Sequence, residues 1–301
     1  MKIFVDTAQI NEIQETNSWG ILDGVTTNPS LIKKAVESRE NVDIKDYIGQ
    51  ICETVDGPIS LEVIGLTAEK MVDQAERLYD TFNHINNNVV IKIPVNTKHP
   101  DSPGDDYEGL KAIRSLATKG IPTNTTLVMK PEQALLAAKA GTQYVSPFAG
   151  RIDDFIRNNI GLTRGKDFEK GAYQHSDWLQ HSSYLHLKPH YEDLEGNELD
   201  DIYTDKGVNE TMAKVTDDGI PSGAAAVASI KQIFEIYNLD TQVLAASLRN
   251  SRQVREVAEA GADVATIPFK VLNEMMNHYK TQEGIISFSQ DVVPEYRELF
   301  D

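Results

Sequence analysis

Lys92 lies in the run Val89-Val90-Ile91-Lys92-Ile93-Pro94-Val95, where strand alternation sets Val90, Lys92 and Pro94 on one face and Val89, Ile91 and Ile93 on the other. An unpaired ammonium in such surroundings costs several kcal/mol, so the amine must meet a carboxylate or give up its proton more readily than a free lysine. Two readings follow: a structural ion pair, or a nucleophile that forms a Schiff base with a carbonyl. Two carboxylates hold comparable positions. Ile3-Phe4-Val5-Asp6 ends a strand-like run, and Ser60-Leu61-Glu62-Val63-Ile64 sets Glu62 in phase with Ser60 and out of phase with Leu61 and Val63. Asp6 could also cap a helix opening at Thr7-Ala8-Gln9, but carboxylates beside a reactive amine are what acid/base chemistry at a carbonyl needs. Asn124 and Thr126 share a further run. Ser146-Pro147-Phe148-Ala149-Gly150-Arg151 and Ser247-Leu248-Arg249-Asn250 each bring a guanidinium to a strand end, suited either to solvation or to bidentate contact with an oxyanion such as phosphate.

Short β-branched runs alternating with longer helical patterns position these residues. Strands are expected at 2–6, 22–26, 59–64, 89–95, 121–125, 143–147, 242–247 and 263–267. Helices are expected at 8–17, 29–36, 41–54, 67–84, 107–119, 131–140, 222–237, 251–260 and 268–278, with starts marked by Asn28-Pro29, Thr67 and Pro131. Eight βα units imply an α/β fold closed into a (β/α)8 TIM barrel, expected to be one domain over residues 1–301. Two connections exceed the repeat, about 96–107 after the fourth strand and about 154–221 after the sixth. Loops after barrel strands build the active-site face, so these insertions are placed to cap, gate or narrow a site, or to make an oligomer contact. A C-terminal helix is expected from Asp291 to Phe300. The longer insertion holds His175, His181, His186 and His190, whose spacing fits no zinc pattern and which read as surface or packing residues.

A net charge of −17 and a pI near 4.8 argue against nucleic-acid or anionic-membrane partners, so any phosphate ligand must meet a local cluster of cations. The single Cys52, with no leader-like or long apolar segment, points to a cytoplasmic protein without disulfides, in which the sequons at Asn124 and Asn209 have no consequence.

Taken together, Gly24-Val25-Thr26-Thr27-Asn28-Pro29-Ser30-Leu31, Val90 to Pro94, Gly120 to Val128, Ser146 to Arg151 and Ala245 to Arg249 resemble, in order, segments of the transaldolase family of class I aldolases. The similarity spans 1–155 and about 220–280, and a start directly on a strand resembles the short subfamily that includes fructose-6-phosphate aldolases. The resemblance implies that Lys92 forms the Schiff base, that Asp6 is the acid/base, and that Glu62 with Thr126 positions a catalytic water. It further implies that Thr26, Asn28 and Asn124 hold a dihydroxyacetone unit, and that Arg151, Ser247 and Arg249 bind phosphate. Leu248 stands where the family often has Phe, and Met129-Lys130 where Phe-Ser is common; both bear on acceptor choice and loop shape. By the family's pattern the aldolases carry Tyr and Gln at the positions of Phe148 and Glu62, so Phe148 favours transfer over release. The implied reaction moves dihydroxyacetone from a ketose 6-phosphate to an aldose phosphate, with sugar phosphates as partners and no metal or organic cofactor. An aldolase releasing dihydroxyacetone, and a transaldolase acting on a sulfonated ketose, remain alternatives. Short relatives form pentamer-based rings, so a homo-oligomer is expected.

Overall fold

The computed structural model describes residues 1–37, 42–171, 173, 176–192 and 204–300. Its eight strands are β1 (Lys2–Asp6), β2 (Gly24–Thr26), β3 (Ile59–Glu62), β4 (Val89–Pro94), β5 (Thr123–Val128), β6 (Tyr144–Pro147), β7 (Gln242–Ala245) and β8 (Val264–Ile267). They pair in chain order and in parallel, and β8 closes onto β1. The expected (β/α)8 barrel is thus the observed one.

Strand alternation sorts the side chains into two environments. Val5, Val25, Ile59, Leu61, Ile91, Ile93, Val145 and Val243 face outward into a core shared with the surrounding helices. Phe4, Val90, Tyr144, Leu244 and Val264 point into the barrel and form a separate apolar cluster. Gly24 is needed beside them, because a Cβ there would lie 2.6 Å from the Phe4 ring. One pleat further toward the C-terminal strand ends the interior turns polar. The register aligns Glu62 with Lys92, Lys92 with Asn124, and Asp6 with Thr26. Apolar packing therefore closes the barrel below and leaves a polar layer at the end where loops gather.

Most expected helices occur within two or three residues, and Asn28 caps Pro29–Val36 by accepting from the Leu31 amide at 3.0 Å. Three differences have physical causes. The strand expected at 121–125 runs Thr123–Val128, with an irregular register against β6 and Leu127 at φ 59°. The C-terminal helix lies earlier than Asp291–Phe300: it spans Tyr279–Gln290, opened by the His278 side chain, and Pro294 starts only a short turn, Pro294–Arg297. A helix not anticipated from the sequence, Ala149–Asn159, opens straight after β6 with Ile152, Asp153 and Ile156 buried on one face. Its run into residue 159 means that the regular crossover continues past the expected start of the long insertion.

Beyond that helix the long connection forms Ser176–Glu192 and Lys206–Val215, which pack against each other. His181, His186 and His190 ride on Ser176–Glu192, while His175 lies outside the described residues. Among the described residues no group of three His, Cys, Asp or Glu is placed to hold a metal ion, and no helix is long and apolar enough to cross a membrane. The shorter insertion is tied sideways. Thr97 Oγ1 donates to the Leu66 carbonyl at 2.7 Å, Lys98 Nζ donates to the Gly104 carbonyl at 2.9 Å, and none of residues 96–107 lines the cavity at the barrel mouth.

Candidate active site

A cavity of about 170 Å³ opens at the polar end of the barrel. Lys92 enters it from the middle of β4 and is 6% exposed. Its Nζ stands 3.2 Å from Glu62 Oε2 and donates to the Thr27 carbonyl at 3.1 Å. The ion pair foreseen for a buried amine therefore exists, and its partner is the in-register carboxylate of the neighbouring strand.

Asp6 reaches the same cavity from the end of β1. It caps no helix: Ile10–Ser18 starts after Gln9, which makes no side-chain cap bond. Instead Asp6 Oδ1 accepts from Thr26 Oγ1 at 2.7 Å, and Thr26 Oγ1 in turn bonds Thr266 Oγ1. Burial pushes the Asp6 carboxyl above the ordinary carboxylate range, against the opposing effects of Lys92, the Thr26 hydrogen bond and Arg249. One carboxylate is thus salt-bridged to the amine, and the other is biased toward holding a proton.

Of the remaining candidates, Thr26, Asn28, Phe148, Arg151, Ser247 and Arg249 all line the cavity, joined by Ser146, Ala246 and Thr266. Asn124 and Thr126 stand behind it. The fully buried Asn124 amide donates to Ser60 Oγ at 3.1 Å and accepts from Ser146 Oγ at 2.6 Å. Thr126 is 1% exposed, and its Oγ1 has no hydrogen-bond partner among the described residues.

The basic side of the cavity is assembled by close backbone contact. A Cβ on Gly150 would sit 2.0 Å from the Ser247 carbonyl, so only glycine lets the start of Ala149–Asn159 press against the turn after β7. Ser247 itself has φ 66°, a left-handed conformation uncommon for serine. Gln253 Oε1 accepts from the Arg249 amide, and Gln253 Nε2 donates to Asp153 Oδ2, both at 2.8 Å. Asp153 Oδ1 also accepts from the Gly223 amide at 2.8 Å. Three helix starts are therefore locked together under the arginines. Arg151 lays its guanidinium 4.9 Å from the Phe148 ring centroid, and Arg249 Nη2 pairs with Asp154 Oδ2 at 3.0 Å. These cations face a site within a chain of 46 acidic and 29 basic residues, which supports anion capture over simple solvation.

Sequence reasoning did not single out Ser60, Asp154, Gln253 or Thr266. Thr266 was accessible to it, being in phase with Val264 on an otherwise apolar strand. Asp154 was not, since its partner lies 95 residues away.

The sequence model of the family described as "Transaldolase/Fructose-6-phosphate aldolase" matches residues 3–181 and 197–300, a wider span than the motif-bearing segments. A probable transaldolase of Caldicellulosiruptor saccharolyticus is 40% identical over 292 residues, covering 97% of this chain and 96% of that protein. One of Prosthecochloris aestuarii is 40% identical over 294 residues, covering 97% of each chain. Another, of Clostridioides difficile, is 36% identical over 291 residues, covering 97% of this chain and 96% of its own. With the barrel and the lysine–carboxylate mouth in place, these matches show that the chain belongs to the transaldolase/fructose-6-phosphate aldolase family.

Proposed function

We propose that the protein is a transaldolase that moves a dihydroxyacetone unit from a ketose 6-phosphate to an aldose phosphate through a Schiff base on Lys92. The observation that carries this reading is a buried amine that meets two carboxylates, Glu62 paired with it and Asp6 raised by burial, beside an arginine-lined wall. Nζ attacks C2 of the donor, and Glu62, at 3.2 Å, is the nearest base for its proton. The unpartnered Thr126 hydroxyl and the Glu62 carboxylate support a water that carries protons while carbinolamine loses water to give the imine. Asp6 removes the C4 hydroxyl proton as the C3–C4 bond breaks. The electron pair flows into the protonated imine as an enamine, and the aldehyde leaves. The enamine then attacks the acceptor aldehyde, Asp6 returns the proton to the new hydroxyl, and hydrolysis frees Lys92. Thr26, Asn28 and Asn124 orient the dihydroxyacetone unit, with Asn124 acting through Ser146. Arg151, Ser247 and Arg249 hold the phosphate. Purified protein incubated with fructose 6-phosphate, with and without erythrose 4-phosphate, tests the reading. Sedoheptulose 7-phosphate should form when the acceptor is present, and free dihydroxyacetone as the main product would identify an aldolase instead.

Phe148 bears on that choice. It lines the same cavity as Lys92 and carries no hydroxyl to hold a protonating water near the enamine carbon. Phe148→Tyr is expected to raise the ratio of free dihydroxyacetone to transfer product several-fold, measured by quantifying both products in one reaction. An unchanged ratio would assign control of that water elsewhere.

Arg249→Ala is expected to lower kcat/KM for phosphorylated donors by about ten- to a hundredfold, as for loss of one charge-assisted contact. Unphosphorylated donors should lose much less. Equal losses for both would remove Arg249 from the phosphate site.

A further inference from the structure

The long β6–β7 connection brings another guanidinium up beside Arg249, behind the wall of the first cavity. Arg164 Nε and Nη2 donate to the Lys170 carbonyl at 3.4 and 3.3 Å, and its guanidinium lies 5.9 Å from the ring centroid of the buried Tyr173. Its Nη1 is 3.9 Å from Asp154 Oδ2, the same oxygen that pairs with Arg249 at 3.0 Å. The Tyr173 hydroxyl fixes the other Asp154 oxygen. One carboxylate thus serves two guanidiniums, and Arg151 adds a third from the cavity wall. Arg249 Nε is buried without a hydrogen-bond partner among the described residues. Arg249 also lines both the first cavity and a second of about 240 Å³, whose described lining holds Arg164, Lys170, Lys270 and one acid, Glu274. Burial and repulsion from Arg249 push Arg164 below its ordinary value, against the attraction of Asp154. Two guanidiniums held around one carboxylate are an arrangement that a further anion completes.

We propose that Arg164 is a specificity residue of the anion site, which tunes it to a dianionic phosphate terminus over a monoanionic sulfonate. Arg151, Arg164 and Arg249 outnumber the nearby carboxylates Asp154 and Asp6, so the cluster keeps a net positive charge that a dianion offsets further than a monoanion does. A phosphate monoester brings about −1.5 to −2 at pH 7 and sheds part of that charge below its second pKa of about 6, whereas a sulfonate stays singly charged. The inference deepens the transaldolase reading by choosing between phosphorylated and sulfonated donors, while the anion preference itself can be measured without turnover.

The experiment is calorimetric titration of the full-length protein, its Arg164→Gln and its Arg164→Lys variants with methyl phosphate, a phosphate monoester, and with methanesulfonate between pH 5.5 and 8. The wild type should bind methyl phosphate more tightly than methanesulfonate, with an advantage that shrinks as pH falls through about 6. Arg164→Gln should weaken methyl phosphate binding about five- to tenfold, methanesulfonate binding distinctly less, and flatten the pH dependence, while Arg164→Lys retains most of the preference. Equal weakening of both anions, an unchanged preference in Arg164→Gln, or no preference in the wild type overturns the proposal. If Arg164→Gln does not fold, Arg164→Met, which keeps the length of the side chain and removes its charge, is titrated in its place and read by the same outcomes. With fructose 6-phosphate, Arg164→Gln should act through KM rather than kcat. A wild type that prefers phosphate but transfers nothing would sink the transaldolase reading and leave this one standing.

Discussion

Lys92→Met is expected to abolish turnover, lowering kcat by about 10⁴-fold or more, because among the described residues no other amine lines the cavity to replace the nucleophile. The companion experiment is borohydride trapping of the wild type in the presence of fructose 6-phosphate. A reduced adduct should map by mass spectrometry to the peptide holding Lys92, and an adduct on another lysine, or none, would end the Schiff-base assignment. The variant has a second expected property. Glu62, with its side chain 15% exposed, loses its cation when Lys92 becomes Met, so the fold should weaken by about 1–3 kcal/mol. Adding Glu62→Gln should restore most of that loss without restoring activity. Thermal unfolding of the single and double variants measures both effects.

Asp6→Asn is the second large expectation. An amide cannot take the C4 proton, so aldol cleavage should fall by about 10²–10⁴-fold. In the wild type the acid limb of the kcat/KM profile should lie above the ordinary carboxylate range, because burial raises this group. Stability should move the other way. A carboxyl raised on folding destabilises the native state once pH exceeds its unfolded-state value, and it does so fully above its folded-state value. Asp6→Asn should therefore raise the unfolding temperature at neutral pH, with the gain vanishing in acid below the unfolded carboxylate range. A variant less stable than the wild type at pH 7 would mean that the bonds to Thr26 and the attraction of Lys92 outweigh burial.

The ease with which Lys92 and Glu62 were found together in the sequence has a simple origin. Each is a charged residue in phase with the inward face of an apolar run, and parallel strands in register bring such residues side by side. The arginines were visible for a similar reason, since barrel topology gathers residues that follow strands. What stayed hidden depends on tertiary contact. Asp154 lies on the helix Ala149–Asn159, which was not anticipated, and Arg164 in the loop beyond it, and their relation to Arg249 arises only when distant helix starts meet at Gly150. The C-terminal helix was misplaced because Tyr279–Gln290 buries none of its residues and so lacks the one-sided apolar stripe that marks a packed helix.

The apolar cluster of Phe4, Val90, Tyr144, Leu244 and Val264 has a kinetic meaning for such a reaction. It is a stopper, and Gly24 is the notch that seats it. If the reaction runs as proposed, the described residues cork the bottom of the barrel, and the reacting carbon meets solvent through the cavity that Phe148 and the arginines line. Whether an intermediate waits for its sugar or is quenched by water then becomes a contest at that doorway. Evolution or an engineer can shift its outcome by altering the threshold while leaving the strands that hold the amine untouched.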